Sequence, residues 1–287
     1  MIPPSFDYVR PSTVDEALAA LTEAGEDGKV LAGGQSLLPL LRLRLAYPST
    51  LVDVGRVEEL RGVRQDGDHL VIGAMTTHHE VVHDTRIRAH APLLAQATET
   101  VADPAVRHRG TLGGSLAHAD PAGDLPAVAL ALDVELVIAG PSGRRAVPAR
   151  DFFSDYLETA IGPGELLVEV RVPVLGPGWG SHYEKFQRVA QAWAIVGVAA
   201  LVRREGDTIA EARVGLTNMG STPLRALATE RALAGVSTAN GGIAAAAEQA
   251  DQGTEPSADL SAQPDYRRHL ARVLTRRAVD RALAGAR

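Results

Sequence analysis

Apolar residues along the chain follow both helical and strand spacings. Residues 14–21 place apolar side chains at i, i+3, i+4 and i+7, and Thr13 with Glu16 has the spacing of a capping box. The same pattern predicts further helices over 37–41, 92–97, 230–233, 243–250 and 265–286. Short apolar or alternating runs predict strands over 29–32, 51–54, 70–72, 134–139, 166–173, 194–202 and 209–216. Because helices and strands mix without strict alternation, the pattern favours an α+β or mixed layered fold.

One segment is a candidate domain boundary. Residues 176–180, Gly-Pro-Gly-Trp-Gly, form the densest run of glycine and proline in the chain. A chain of 287 residues is long enough for two domains. Residues 251–264 are polar and contain Gly, Pro and Ser, which predicts a mobile loop.

Composition excludes several classes of function. The absence of cysteine excludes Cys-ligated zinc, an iron–sulfur cluster held by this chain and a cysteine nucleophile. A net charge of −6 offers no overall attraction to nucleic acid or to an anionic membrane. No apolar run approaches the ~18–20 residues of a transmembrane helix, and the N-terminal residues lack the pattern of a secretory signal. We therefore expect a cytoplasmic protein.

The strongest chemical feature is a pair of glycine loops, Ala32-Gly33-Gly34-Gln35-Ser36 and Thr111-Leu112-Gly113-Gly114-Ser115. Adjacent glycines let the backbone approach a ligand closely, and successive N–H groups can bind anionic oxygens. Two such loops can hold a pyrophosphate from two sides. The alternative is that each is simply a tight turn. Neither usual nucleotide-binding fingerprint is present.

A second candidate segment follows the second loop. His118, Asp120 and Asp124 lie in a run of small residues bounded by proline. Asp124 can accept hydrogen bonds from cofactor hydroxyl groups, and His118 can transfer protons. The alternative is that the aspartates cap turns before Pro and Gly.

Residues 79–83, His-Glu-Val-Val-His, match the zinc-protease motif H-E-x-x-H, with Glu99 as a conceivable third ligand. Thr77 and Asp84 predict a helix of one or two turns, and the pentapeptide arises readily by chance. The sequence therefore disfavours zinc chemistry and predicts no metal site.

Lys185 and Trp193 form a further candidate pair. Lys185 is one of two lysines and can contact an anionic or carbonyl oxygen, and Trp193 can cover an aromatic cofactor. The alternative is a solvated lysine and an ordinary core or boundary aromatic residue.

Together these segments resemble one family, the FAD-binding medium subunits of molybdenum hydroxylases of the carbon monoxide dehydrogenase and xanthine dehydrogenase type. The resemblance begins at Pro4-Ser5-Phe6-Asp7-Tyr8 and ends at residues 266–270, Tyr-Arg-Arg-His-Leu. It includes both glycine loops and the His118-Ala119-Asp120-Pro121 run that continues to Pro126. Ser115 stands where the family often has Asn, and Trp193 where it often has Tyr or Phe.

The resemblance implies an α+β fold with a two-part FAD-binding domain of the PCMH type over 1–177, divided into about 1–56 and 57–177. A smaller α+β C-terminal domain would occupy 178–287. It also implies FAD as cofactor and no catalytic residue on this chain. The implied cofactor-binding residues are Val30, Leu31, Ala32, Gly33, Gly34, Gln35, Ser36, Leu37, Val101, Ala102, Gly110, Thr111, Gly113, Gly114, Ser115, Ala117, Gly123, Asp124, Leu166, Leu167, Lys185 and Trp193.

The function implied is electron transfer. A small partner subunit with [2Fe–2S] clusters would supply electrons to FAD, a large partner subunit would carry the molybdenum cofactor, and an external acceptor would take the electrons. The main alternative is a self-contained FAD oxidoreductase that acts directly on a small substrate. A scaffold that has lost FAD and a zinc hydrolase are weaker alternatives.

Overall fold

A computed structural model describes residues 2–238 and 241–286. Its strands are β1 (Asp7–Val9), β2 (Gly28–Leu31), β3 (Thr50–Asp53), β4 (Val63–Asp66), β5 (His69–Gly73), β6 (Glu135–Gly140), β7 (Gly143–Pro148), β8 (Phe153–Asp155), β9 (Glu158–Thr159), β10 (Leu166–Pro173), β11 (Trp179–Phe186), β12 (Val196–Glu205), β13 (Thr208–Thr217) and β14 (Leu224–Arg225). Its helices are α1 (Val14–Ala24), α2 (Leu37–Leu43), α3 (His78–His83), α4 (Thr85–His90), α5 (Pro92–Glu99), α6 (Pro104–Arg107), α7 (Leu112–His118), α8 (Asp124–Ala131), α9 (Ala149–Phe152), α10 (Leu227–Leu233), α11 (Gly242–Ala247) and α12 (Pro264–Gly285).

The N-terminal part is a small parallel sheet covered by α1. Its strand order is β1-β3-β2, and both pairings are parallel. Val14, Ala17 and Leu21 bury the predicted apolar face of α1. The Thr13 hydroxyl accepts the Glu16 N–H, whereas the Glu16 carboxylate accepts from the Ser12 N–H rather than returning to Thr13. The helix is confirmed, and half of its capping box forms.

The middle of the chain forms an antiparallel sheet of order β4-β5-β10-β6-β7. Helices α5, α7 and α8 join its core, which contains Leu70, Leu112 and Leu125. Every residue of α8 is buried. A helix buried on all sides has no polar face, and this explains why its sequence shows a continuous apolar run instead of helical periodicity.

The C-terminal part is an antiparallel sheet, β11-β12-β13-β14, with α12 packed against β11 and β12. It lies directly on the middle part of the chain. A Cβ placed on Gly215 of β13 would be 2.2 Å from the carbonyl oxygen of Ala127 in α8. The three sheets with their covering helices confirm the α+β fold predicted from the sequence. The boundary predicted at residue 177 stays a prediction.

Two elements differ from the sequence prediction around the third sheet. Strand β11 begins at Trp179, inside the segment predicted as a boundary. The strand predicted from residue 194 begins at Val196, where its pairing with Phe186 of β11 starts, and side chains from elsewhere in the fold bind the carbonyl groups of Ala194 and Ile195. Within the described residues, no helix combines the length and the apolar character needed to cross a membrane.

Candidate cofactor site

The first glycine loop packs against the residues that immediately precede the second loop, although 80 residues separate Gly33 from Gly113 in sequence. A Cβ placed on Gly33 would be 2.2 Å from the carbonyl oxygen of Arg109 and 2.7 Å from Cα of Gly110. Both neighbours are backbone atoms, so glycine is required for this approach. The fold thus brings the loops together, as a joint ligand site requires.

The second loop is held in place by hydrogen bonds from its own N–H groups to protein acceptors. The N–H of Gly113 donates to the Ala74 carbonyl at 2.9 Å, and the N–H of Gly114 donates to the Thr111 hydroxyl at 3.1 Å. A Cβ on Gly113 would be 2.7 Å from the Ala74 carbonyl oxygen, and one on Gly114 would be 2.7 Å from the Thr111 hydroxyl. Both glycines therefore allow close packing of the loop, and their N–H groups are used within the protein.

The first loop differs in this respect. Across residues 2–238 and 241–286, no protein acceptor bonds the N–H groups of Gly34, Gln35 or Ser36. Gly34 has φ +74°, in the left-handed region that favours glycine. The donors for an anion are therefore on the first loop.

A cavity of about 500 Å³ lies beside this junction. Gly113, Gly114 and Ala117 form part of its wall, and Thr159 and residues 161–167 form another part. The volume is in the usual range for small-molecule sites. Its further lining includes Val30, Ala32, Leu166 and Leu167 from the predicted set. It also includes Gly25 and Glu26, which follow α1, and Gly28 and Lys29 at the start of β2, none of which was predicted as a site residue.

Asp124 and Lys185 form a buried ion pair outside the cavity lining. Lys185 Nζ is 2.8 Å from Asp124 Oδ2, and the two side chains are 5% and 4% exposed. Lys185 also donates to the Thr100 carbonyl at 3.1 Å, and Tyr183 donates to Asp124 Oδ1 at 2.6 Å. Burial raises the pKa of Asp124, and Lys185 opposes part of that rise. The cluster joins β11 to the middle part of the chain.

Residues 79–83 do not assemble a metal centre. Glu80 accepts from both the N–H and the hydroxyl of Thr77, so it completes the N-cap of α3. The rings of His79 and His83 lie 4.3 Å apart, and His79 stacks on His108 at 4.0 Å. In the part of the chain that the structure describes, no three His, Cys, Asp or Glu side chains are grouped to hold a metal ion.

Comparison with known proteins decides the family. Residues 4–175 match the family described as FAD binding domain in molybdopterin dehydrogenase, and residues 181–282 match the CO dehydrogenase flavoprotein C-terminal domain. The chain belongs to these molybdopterin dehydrogenase flavoproteins. It is accordingly an oxidoreductase subunit whose cofactor is FAD.

Individual flavoproteins of this family match over their whole length. The carbon monoxide dehydrogenase medium chain of Hydrogenophaga pseudoflava is 42% identical, with 99% of each chain covered. The corresponding chain of Afipia carboxidovorans is 40% identical, with 100% of each covered. A solved structure of the Hydrogenophaga enzyme, which lacks the Mo-pyranopterin moiety of its cofactor, superimposes with a TM-score of 0.97 at 44% identity, with 100% of both chains covered.

The residues present fit FAD in this flavoprotein. The contact between the glycine loops leaves no room for side chains, the first loop presents unpaired N–H donors, and a cavity of about 500 Å³ adjoins both. A pyrophosphate needs such donors and such an approach.

The other predicted site residues surround this junction or lie farther along the chain. Arg107 donates to the carbonyl groups of Val101 and Ala102 at 2.8 and 3.2 Å, which fixes the turn beside Thr100. Trp193 lies in the loop between β11 and β12 and is 57% exposed. Residues that belong to the loops, their flanks or the first turn of α8, without lining the cavity, are Leu31, Gly33, Gly34, Gln35, Ser36, Leu37, Gly110, Thr111, Ser115, Gly123 and Asp124.

Sequence reasoning missed Tyr183 as a functional neighbour. Its hydroxyl is buried between Asp124 and Thr217, at 2.6 and 3.4 Å. Burial raises its pKa well above 10, so it stays a hydrogen-bond donor. Tyr183 and Lys185 are two residues apart on a strand, so their side chains lie on the same face. This spacing was the sequence signal from which Tyr183 could have been predicted as a neighbour of Lys185.

His78 supports the second loop and has a consequence for stability. It is buried, and its ring lies within 2.9 Å of a Cβ placed on Gly110. Burial first, and then the charge of Arg107, lower its pKa from 6.5 to about 4. The folded protein therefore holds it neutral over a range in which the unfolded chain would protonate it.

We expect the unfolding free energy of the FAD-free protein to fall as the pH drops from about 6.5 through 4, by up to about 3 kcal/mol from His78. Above the unfolded pKa this penalty is absent. Urea unfolding of wild type and His78→Leu between pH 7.5 and 4 measures it, and His90→Gln serves as the half-exposed control. If His78→Leu loses stability on acidification as steeply as wild type, His78 does not carry the effect.

Proposed function

We propose that this chain is the FAD-carrying electron-transfer subunit of a molybdenum hydroxylase. It would receive electrons from [2Fe–2S] clusters of a small partner subunit and pass them to an external acceptor, while a large partner subunit holds the molybdenum cofactor. FAD, when bound, can connect carriers of single electrons to acceptors of electron pairs. The observation that carries this proposal is the contact of Gly33 with the Arg109–Gly110 backbone, which builds one site from two distant loops.

The residues of this chain would bind and orient the cofactor rather than react. Residues 34–36 would donate to the pyrophosphate, and Gly113 and Gly114 would give it room. Asp124 and Lys185 already use part of their hydrogen-bonding capacity on each other. A carboxylate oxygen has two lone pairs and an ammonium has three hydrogens, so each can also serve a cofactor group. Their roles as direct ligands stay predictions.

The relatives support a subunit rather than a complete enzyme. Several carry names with the words medium chain or medium subunit, such as the nicotine 6-hydroxylase medium subunit of Paenarthrobacter nicotinovorans, which is 34% identical with 99% of each chain covered. The named substrates differ among relatives of similar identity. This supports a substrate site on another subunit.

Gly114→Val tests the cofactor assignment. Gly114 lines the cavity, and a Cβ placed on it would be 2.7 Å from the Thr111 hydroxyl and 3.7 Å from Cβ of Ala32. A valine would therefore displace the cavity wall where the two loops meet. Wild type incubated with FAD and desalted should show a flavin spectrum with about one equivalent per chain, and Gly114→Val should show little. Gly176→Ala is the control, because a Cβ there meets no atom within 4 Å. A folded Gly114→Val with normal flavin content would contradict the assignment.

Electron transfer is tested in the complex with its partners. Carbon monoxide and caffeine, which relatives' names include, are tried as reductants. A reductant that works should bleach cluster and flavin absorption in wild type, and cluster absorption alone in the complex with Gly114→Val. Direct reduction of the flavin in the isolated chain would instead favour the self-contained oxidoreductase.

A further inference from the structure

The loop that carries Trp193 is closed at its base. We define the Trp193 loop as residues 187–195, which connect β11 to β12. The N–H of Ile195 donates to the carbonyl of Phe186 at 2.8 Å and joins the two ends. Trp193 is 57% exposed, whereas Ala194 and Ile195 after it are buried. The position of Trp193 is therefore set by how its C-terminal end is held.

Two side chains from distant elements bind the peptide groups that follow Trp193. Asn218 Nδ2 donates to the Ala194 carbonyl at 2.8 Å. Arg267 Nη1 donates to the Ile195 carbonyl. Asn218 follows β13, and Arg267 lies in the first turn of α12. The end of the loop is thus fixed to two elements that pack in the C-terminal domain.

Arg267 is unusual among the charged residues because it is buried, with 1% exposure. Besides Ile195, it donates to the Ser257 carbonyl at 3.1 Å and pairs with Asp259 at 2.6 Å. Burying a guanidinium is costly unless its donors are bonded. Here two of its nitrogen atoms serve backbone carbonyls of separate segments, and one of those segments is the base of the Trp193 loop.

The opposite end of the loop is fixed to the FAD-binding region. Lys185 lies two residues before Gln187 and bonds Asp124 and the Thr100 carbonyl. The loop therefore runs from a lysine held by Asp124 of α8 and the Thr100 carbonyl to the two side chains described above.

We propose that Arg267 and Asn218 are positioning residues that fix Trp193 beside the flavin ring. This inference rests on the proposed function and on the predicted place of Trp193. The two residues do not touch the cofactor. They hold the carbonyl groups of the two residues after Trp193 and so fix the backbone from which its side chain extends.

The test uses Arg267→Met, Asn218→Gly and the control Arg268→Met. Asn218 has φ +62°, so glycine keeps the backbone conformation and removes just the amide. This variant keeps the test valid if Arg267→Met does not fold. Arg268 carries the same charge one residue later and donates to the Thr254 carbonyl instead.

The first readout needs no FAD. Arg188 is exposed in the Trp193 loop and offers a trypsin site. Cleavage after Arg188, followed by mass spectrometry, should be about tenfold faster in Arg267→Met and Asn218→Gly than in wild type, because loss of a buried hydrogen bond favours local opening. Arg268→Met should match wild type. Unchanged cleavage in both folded variants would overturn the role of the two residues.

The second readout is the accessibility of bound FAD to iodide, measured by quenching of flavin fluorescence. Both variants should bind FAD in wild-type amount, and quenching should move toward that of free FAD. If cleavage rises and quenching stays at the wild-type level, the positioning of Trp193 at the flavin is overturned. If wild type binds no FAD, the proposed function fails, and the trypsin result separately decides whether the loop is held as described.

Discussion

Gly33→Ala is expected to weaken FAD binding by about 10- to 100-fold. The new Cβ would lie 2.2 Å from the Arg109 carbonyl oxygen, which is a backbone atom and cannot rotate away. Overpacking of this kind costs about 1–3 kcal/mol, and 1.4 kcal/mol is about tenfold in affinity. We expect the protein to relieve this clash by moving the two glycine loops apart. Titration of the FAD-free protein with FAD, followed by flavin fluorescence, gives the dissociation constants.

Gly176→Ala is the matched control for this substitution. Its Cβ meets no atom within 4 Å, and it should bind FAD as wild type does. Thermal unfolding of both FAD-free variants shows whether either one affects folding. Wild-type affinity in a folded Gly33→Ala protein would mean that the contact between the loops is not needed for the cofactor.

Lys185→Met is expected to lower the unfolding free energy at neutral pH by about 3–5 kcal/mol, the usual cost of removing one partner of a buried ion pair. The Asp124 side chain is 4% exposed and would lose its cationic partner, while it keeps the Tyr183 hydroxyl as a donor. Lys29→Met is the control, because Lys29 is the second lysine of the chain and is exposed. It should change stability little. Urea unfolding of the FAD-free proteins measures both.

The cost of Lys185→Met should also depend on pH. Burial raises the folded-state pKa of Asp124 above its unfolded value, and loss of Lys185 raises it further. A carboxyl group whose pKa is higher in the folded state than in the unfolded state stabilises the folded state at pH values below its unfolded-state pKa. This stabilisation is lost as the pH rises through its folded-state pKa. Lys185→Met should therefore be closer to wild type at pH 5 than at pH 8. An equal difference at both pH values would contradict a charged, unpaired Asp124 as the cause.

Local sequence signals determined much of the fold. Helix α1 has its apolar residues at helical spacing and a Thr13 cap, and the structure forms both. Helix α3, with Thr77 before it and Asp84 after it, could also be predicted from the sequence, because capping involves residues three or four apart. Strand β11 was missed because glycine and proline before it indicate a boundary, while its pairing with β12 is set by residues 10 to 24 positions away.

The candidate cofactor site also combines features that the sequence shows with features that the tertiary structure sets. The glycine pairs, and the resemblance they carry, are visible in the sequence because a backbone that must lie close to another group excludes side chains locally. The contact between Gly33 and Arg109, the pairing of Asp124 with Lys185 and the burial of Arg267 against Ile195 join residues 61 to 76 positions apart. The spacing of such residues along the sequence does not indicate which partner each of them contacts. The sequence by itself thus determined the family, the cofactor and the two loops. The tertiary structure decided which N–H groups remain free, which charges are paired and what holds Trp193, because burial and long-range packing set all three.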